Sequence, residues 1–187
     1  SGYMSTTSLA IAVLAVVAVF FISQYNRLVR LNVRVDEAFA QIEVQLQRRA
    51  DLIPNLVETV KGYAAHEKEA FEKVVAARAA ATSASGVHDV AAADGMVTQA
   101  LRGLLAVSEA YPDLKASANF VALQEELSAT ENKVGFARQF YNDTVRSLNE
   151  SIKTFPGNFF AGFAKVVARE FYEVDDPGKR AVPNVKF

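Results

Sequence analysis

The chain has 187 residues, with 20 Lys plus Arg against 21 Asp plus Glu and a net charge of −1, so bulk basicity does not draw it to nucleic acid. It contains no cysteine, which excludes a disulfide framework, a thiolate metal site and a cysteine nucleophile. The length suits one compact domain plus an anchor.

Residues 1–26 carry no charged side chain, and Leu9 to Ile22 is an unbroken run of 14 apolar residues. Alone this run would span about 21 Å, short of a ~30 Å hydrocarbon core. Adding Tyr3 to Ser8, whose hydroxyls can bond back to the helix, brings it to roughly 30 Å. Three readings compete: a membrane span over about residues 3–25, a signal peptide, or a buried core helix. A signal peptide would want a basic residue before the run and a small-x-small site after it, where Phe20, Phe21 and Ile22 stand. A core helix would want an equally apolar partner. The expectation is therefore a span contacting the lipid bilayer. Arg27, Arg30 and Arg34 follow it and no cation precedes it, so the positive-inside rule puts the N-terminus outside and the rest in the cytoplasm. Tyr25 and Tyr3 would mark the two interfaces.

From Asn32 to Ala77 the apolar residues recur in alternating steps of three and four. One row is Phe39, Leu46, Ile53, Val60 and Val74; the other is Val35, Ile42, Leu56, Tyr63, Ala70 and Ala77. This is the face of an amphipathic helix, as in a coiled-coil seam. No Pro or Gly interrupts Leu9 to Ile53, so the span is expected to continue into this helix and on to about Ala81. Pro54 removes a backbone donor and crowds the Ala50 carbonyl, which predicts a kink. The rival is a full break with Asp51 as N-cap of a new helix. Thr82 to Gly86 reads as a loop.

A second helix fits Val87–Ala110 and a third runs from about Ser117 or Asn119 to Lys153. Phe155-Pro156-Gly157-Asn158 is the next stop, before a short aromatic-rich helix at about Phe159 to Ala168. The fold class expected is all-α, an up-and-down bundle of three long helices and one short one. The expected divisions are an anchor over 1–26, a bundle over 27–170 and an extended tail over 171–187.

Several stretches carry a resemblance to a known family. They include Tyr25-Asn26-Arg27-Leu28-Val29 and Asp36 to Arg49. The most specific is Asp51-Leu52-Ile53-Pro54-Asn55-Leu56-Val57-Glu58-Thr59-Val60-Lys61-Gly62-Tyr63, and shorter matches follow at Tyr111 to Ala116, Thr130-Glu131-Asn132, Tyr141-Asn142 and Phe155-Pro156. On these residues the chain resembles the LemA family of bacterial membrane proteins from Tyr25 almost to its end. Arg48, Arg49, Asp51, Pro54, Asn55 and Glu58 are the motif positions, and Phe39 stands where the family often has Trp. The resemblance implies one N-terminal span and a cytoplasmic helical bundle at the cytoplasmic membrane, and no established reaction. Some LemA-like proteins are associated with membrane proteases or organelle-forming membrane systems, which points to assembly or adaptor work.

Enzyme chemistry has little to stand on. His66-Glu67 lacks the second histidine of a zinc-protease motif, since Ala70 occupies its place, and neither His66 nor His88 follows a Glu by three residues as a di-iron bundle requires. No nucleophile elbow, Walker loop or dinucleotide fingerprint is present. No catalytic residue, metal or cofactor is expected.

Two seam positions are charged, Arg49 and Glu67, and an unpaired buried charge costs several kcal/mol. If helices one and three run parallel with an offset of about 71 residues, Glu67 faces Arg138 and Arg78 reaches Glu150. The alternative is that each charge snorkels to water. Helix one would also be much longer than its neighbours, at about 80 Å against about 36 and 55 Å. Its membrane-proximal residues Leu28, Leu31, Val35, Phe39 and Ile42 would then need covering by neighbouring protomers, which predicts a homo-oligomer. The competing expectation is that Pro54 bends this segment back over its own bundle. Two functions follow as expectations: a self-assembling membrane scaffold, or an adaptor for another membrane protein such as a protease, using tail residues Phe171, Tyr172 and Phe187.

Overall fold

A computed structural model describes residues 5–174 of the chain. Tyr3, Phe187 and most of the expected tail lie outside the described residues. Among those described, six helices and no strand occur: α1 (Thr6–Lys61), α2 (Lys68–Ser83), α3 (Val87–Ser108), α4 (Pro112–Lys115), α5 (Ala118–Lys153) and α6 (Gly157–Ala164). The all-α class with a long N-terminal helix is as the periodicity predicts. The described residues form two compact units, 5–38 with 140–169 and 39–139 with 170–174.

α1 runs through Pro54 without a break, and Asp51 is not an N-cap but accepts a hydrogen bond from Gln47 Nε2 at 2.8 Å. The break falls instead at residues 62–67, a turn between α1 and α2 where one helix to Ala81 is expected from the seam. Gly62 weakens the helix there, and buried Ala64 folds its amide back onto the Val60 carbonyl at 2.9 Å. The heptad row Val60–Glu67–Val74 keeps its spacing across the turn, so the pattern hides it. Gly86 holds φ +83° as the N-cap of α3, a conformation that favours glycine.

That extra turn reverses the chain once more than expected. In the unit of residues 39–139, Arg49 on α1 meets Glu131 on α5 while Thr59 meets Asn119, so α1 and α5 are antiparallel. Arg78 of α2 reaches back to Ala50, and Lys61 Nζ lies 5.7 Å from the Phe71 ring centre, so α1 and α2 are antiparallel too. Four segments therefore run up, down, up, down around one apolar core. Ile53, Leu56 and Val60 of α1 join Phe71 and Val74 of α2, Val97, Leu101 and Leu104 of α3, and Phe120 and Leu127 of α5. Each such side chain contributes about 1.5–3 kcal/mol on burial.

The other unit combines α1 up to residue 38 with the end of α5, then α6 and an extended segment. Asn149 binds the backbone of Arg169 in both directions, its Nδ2 donating to the carbonyl at 3.1 Å and its Oδ1 accepting from the amide at 2.8 Å. Arg169 in turn donates to Asn32 at 2.9 Å and to Asp36. α6 closes on Lys165, whose φ of 53° is left-handed. It packs against α1 through Phe160 on Phe21, with ring centres 4.8 Å apart, and Phe163 on Phe21 at 5.6 Å.

Among the described residues two helices are long and apolar enough to cross a membrane, α1 and α3. In α3 much of that window is buried, and Asp94 sits within the helix; it is a core helix. In α1 none of the window is buried: Leu14, Val16 and Val19 all face outward. A helix so apolar and so uncovered by its own chain matches a bilayer as solvent.

Candidate functional site

The site starts from the charged residue in the α1 seam. Arg49 is only 2% exposed, so its guanidinium has left water and requires acceptors. α3 supplies the main one. Asp94 lies four residues after Val90 and three before Val97, on the buried face of its helix, and its Oδ1 receives Arg49 Nη1 at 2.8 Å. The same nitrogen lies 3.1 Å from Glu131 Oε1 on α5 and 3.2 Å from Thr98 Oγ1. Thr98 also donates to the Asp94 carbonyl at 2.9 Å.

The second oxygen of Asp94 is taken by the extended segment at 170–174. Tyr172, buried, donates its hydroxyl to Asp94 Oδ2 at 2.8 Å. Burial first, and then the facing Asp94 carboxylate, push the Tyr172 phenol far above its ordinary value, while Arg49 and Arg138 pull in the other direction. The phenol is thus held neutral, as a donor. One guanidinium, two carboxylates, a threonine and a phenol close a network across three helices and one extended segment.

A second contact lies one residue along α1. Pro54 has no N–H, so the Ala50 carbonyl loses its helical partner. Arg78 Nε of α2 fills that place at 3.0 Å. A cavity of about 160 Å³ separates the two contacts, bordered by Arg49, Arg78 and Asp94 together with Glu43, Gln47 and Thr82. Among the described residues no three His, Asp or Glu side chains are grouped as metal ligands. The chemistry on offer is charge pairing that joins the helices.

The structure separates the expected ion pairs. Glu67 lies in the turn before α2 and accepts from the Tyr111 hydroxyl at 3.3 Å; desolvation first, and then the Glu67 carboxylate, raise the Tyr111 phenol. Arg138 stands seven residues beyond Glu131 on an antiparallel helix, away from the Glu67 end. The Arg78 Nε donates to the Ala50 carbonyl instead. The parallel register behind those pairs fails because of the turn at 62–67.

The expected self-association seam is corrected as well. Leu28, Val35 and Ile42 are buried within the single chain, and Leu31 and Phe39 are half-buried. Tyr172, expected on an exposed tail patch, is buried; Phe171 remains partly exposed and Phe187 lies outside the described residues. Of the motif residues, Arg49 points into the core, whereas Arg48, Asp51, Asn55 and Glu58 are exposed along the outer side of α1. Asp94 and Thr98 are the site residues the sequence reading missed, while Glu131 figured only in the family match and Tyr172 only as a tail residue.

The pattern that defines the LemA family matches residues 38–187. The chain is 24% identical to magnetosome protein MamQ 2 of Paramagnetospirillum magneticum, over 91% of this chain and 73% of that protein. It is 25% identical to protein LemA of Metamycoplasma hominis, over 75% of this chain and 65% of that one. Magnetosome protein MamQ of Magnetospirillum gryphiswaldense is 24% identical, over 84% of this chain and 70% of the relative.

Proposed function

This chain belongs to the LemA family, and from that premise we propose that it is a membrane-anchored, non-catalytic structural protein that assembles with further copies of itself. The anchor is the uncovered apolar stretch of α1, with the N-terminus outside and the chain from Arg27 onward on the cytoplasmic side. The observation that carries self-assembly is a pair of large apolar side chains left in the open. Phe136 and Phe140, one turn apart on α5, are 73% and 62% exposed. On the same helix Val134 and Tyr141 are buried while these two are not, and neighbouring exposed aromatic residues are what an interface uses. Relatives named as magnetosome proteins support a membrane-associated role, which we extend to this chain.

Light scattering on the full chain in detergent tests the assembly. We expect a mass of several copies, reduced to one by Phe136→Glu with Phe140→Glu while helical content is unchanged. A wild-type monomer would reject the scaffold reading.

An adaptor for another membrane protein, such as a protease, is the second reading. The exposed stripe Arg48, Asp51, Asn55 and Glu58 favours it, because these polar side chains hold no buried partner and share one helical face. A stoichiometric foreign protein that co-purifies with wild type and is lost on changing this stripe would favour it over self-assembly.

A further inference from the structure

α6 contains no charged residue, and none occurs from Thr154 to Ala164; Lys153 and Lys165 flank it. Its aromatic side chains are not spent on a core. Phe160 is buried against α1, but Phe159 and Phe163 are 58% and 59% exposed, with Phe155 at 82% just before the helix and Val167 at 70% just after it. In water this would be an unusually costly surface for eight residues.

The position of α6 along α1 supplies the occupant. Phe160 and Phe163 pack on Phe20 and Phe21, the last aromatic residues of the apolar run that ends at Ile22. Arg27, the first charge on α1, lies six residues after Phe21, or about 9 Å along the helix. A bilayer that covers Leu9 to Ile22 and leaves Arg27 among its headgroups must therefore meet α6 at the boundary between headgroup and acyl chain. An exposed aromatic surface at that level is covered by acyl chains, while the stems of the flanking Lys153 and Lys165 let their charges reach the headgroups.

We propose that α6 is a second membrane contact: an interfacial helix that inserts Phe155, Phe159, Phe163 and Val167 into the leaflet where α1 emerges. The inference rests on α1 being the membrane span. It gives the anchor two attachment points, one that crosses and one that lies in the surface.

The chain has no tryptophan, so a single introduced indole reports one place. Four full-length variants, Val16→Trp, Phe159→Trp, Phe163→Trp and Val75→Trp, are reconstituted in vesicles of phosphatidylcholine and phosphatidylglycerol. Each is quenched by lipids brominated on the acyl chain and, separately, by iodide. Val16→Trp in the span and both α6 variants should lose more than half of their emission to brominated lipid, with the α6 variants showing the shallower depth. Val75→Trp, on the outer side of α2, should respond to iodide alone. Quenching of Val16→Trp without quenching of the α6 variants overturns the interfacial helix and leaves the span standing. Blue-shifted α6 emission that neither quencher reaches would place a second protein copy there and also overturns it. No lipid quenching of Val16→Trp overturns span and inference together.

Discussion

At the scale of single residues, the decisive fact is a charge moved out of water. Removing one partner of a buried pair strands the other, so Arg49→Met should destabilise the bundle by about 3–5 kcal/mol. Replacing the partners together relieves much of that cost. Arg49→Met with Asp94→Leu and Tyr172→Phe should be less destabilised than Arg49→Met alone, by urea unfolding of the detergent-solubilised chain. Equal or greater loss in the triple variant would show that the network contributes more than the absence of stranded charge. Tyr172 adds a pH dependence with a definite sign. Its folded pKa is raised, so its contribution is complete below the unfolded value of about 10 and disappears as pH rises above it. Stability measured from pH 8 to 11 should therefore fall, and the fall should be shallower in Tyr172→Phe.

Half of this network can be read from the sequence in physical terms. Arg49 is conspicuous because it interrupts an apolar row, and Asp94 interrupts another at Val90, Asp94, Val97 and Leu101 in the same 4-3-4 rhythm. Two seam charges of opposite sign on adjacent helices invite pairing. Glu131 and Tyr172 carry no such mark. A half-exposed glutamate on a polar helix looks like any solvated one, and Tyr172 follows the last helix, where no periodicity assigns a face.

At the scale of elements, the helices follow from hydrophobic period and their ends do not. α3 and α5 begin and stop close to where Gly86, Pro112, Ser117 and Pro156 place them. The turn at 62–67 was concealed because a reversal that happens to conserve heptad spacing leaves the pattern unchanged. Pro54, the obvious breaker, is absorbed because another helix supplies the missing donor. This makes a coupling prediction. Arg78→Met should cost about 1 kcal/mol or more, and most of that cost should vanish in a Pro54→Ala background, where residue 54 regains its own N–H. Additive losses in the double-mutant cycle would disprove the substitution of one donor for the other. Gly157 gives a second test. A Cβ there would lie 1.9 Å from the Ser151 carbonyl oxygen, so Gly157→Ala must displace the start of α6. Amide exchange across α6 should quicken while α3 stays protected.

At the scale of the whole molecule, the apolar surface divides into two kinds. The seam residues Leu28, Val35 and Ile42 are already covered by the protein's own chain, which removes the original reason to expect partners along α1. The reasons that remain are the exposed run of α1 before Ser23, the aromatic residues of α6, and the Phe136–Phe140 pair on α5. The first two suit lipid and the last suits another copy. Detergent-solubilised wild type and the Phe136→Glu, Phe140→Glu variant should accordingly differ in mass but not in their retention by vesicles. A variant that lost both would mean that the α5 pair serves the membrane.

The Arg49 network also has an order in time. Its members come from positions 49, 94, 131 and 172, so a ribosome delivers the cation first and the phenol only after both carboxylates. Until that final hydroxyl emerges, one oxygen of Asp94 waits without its donor, and the three helices are held by an unfinished clasp. A nascent chain stalled before this point would differ from a finished one at its centre, where a protease that probes loosely closed bundles could tell them apart.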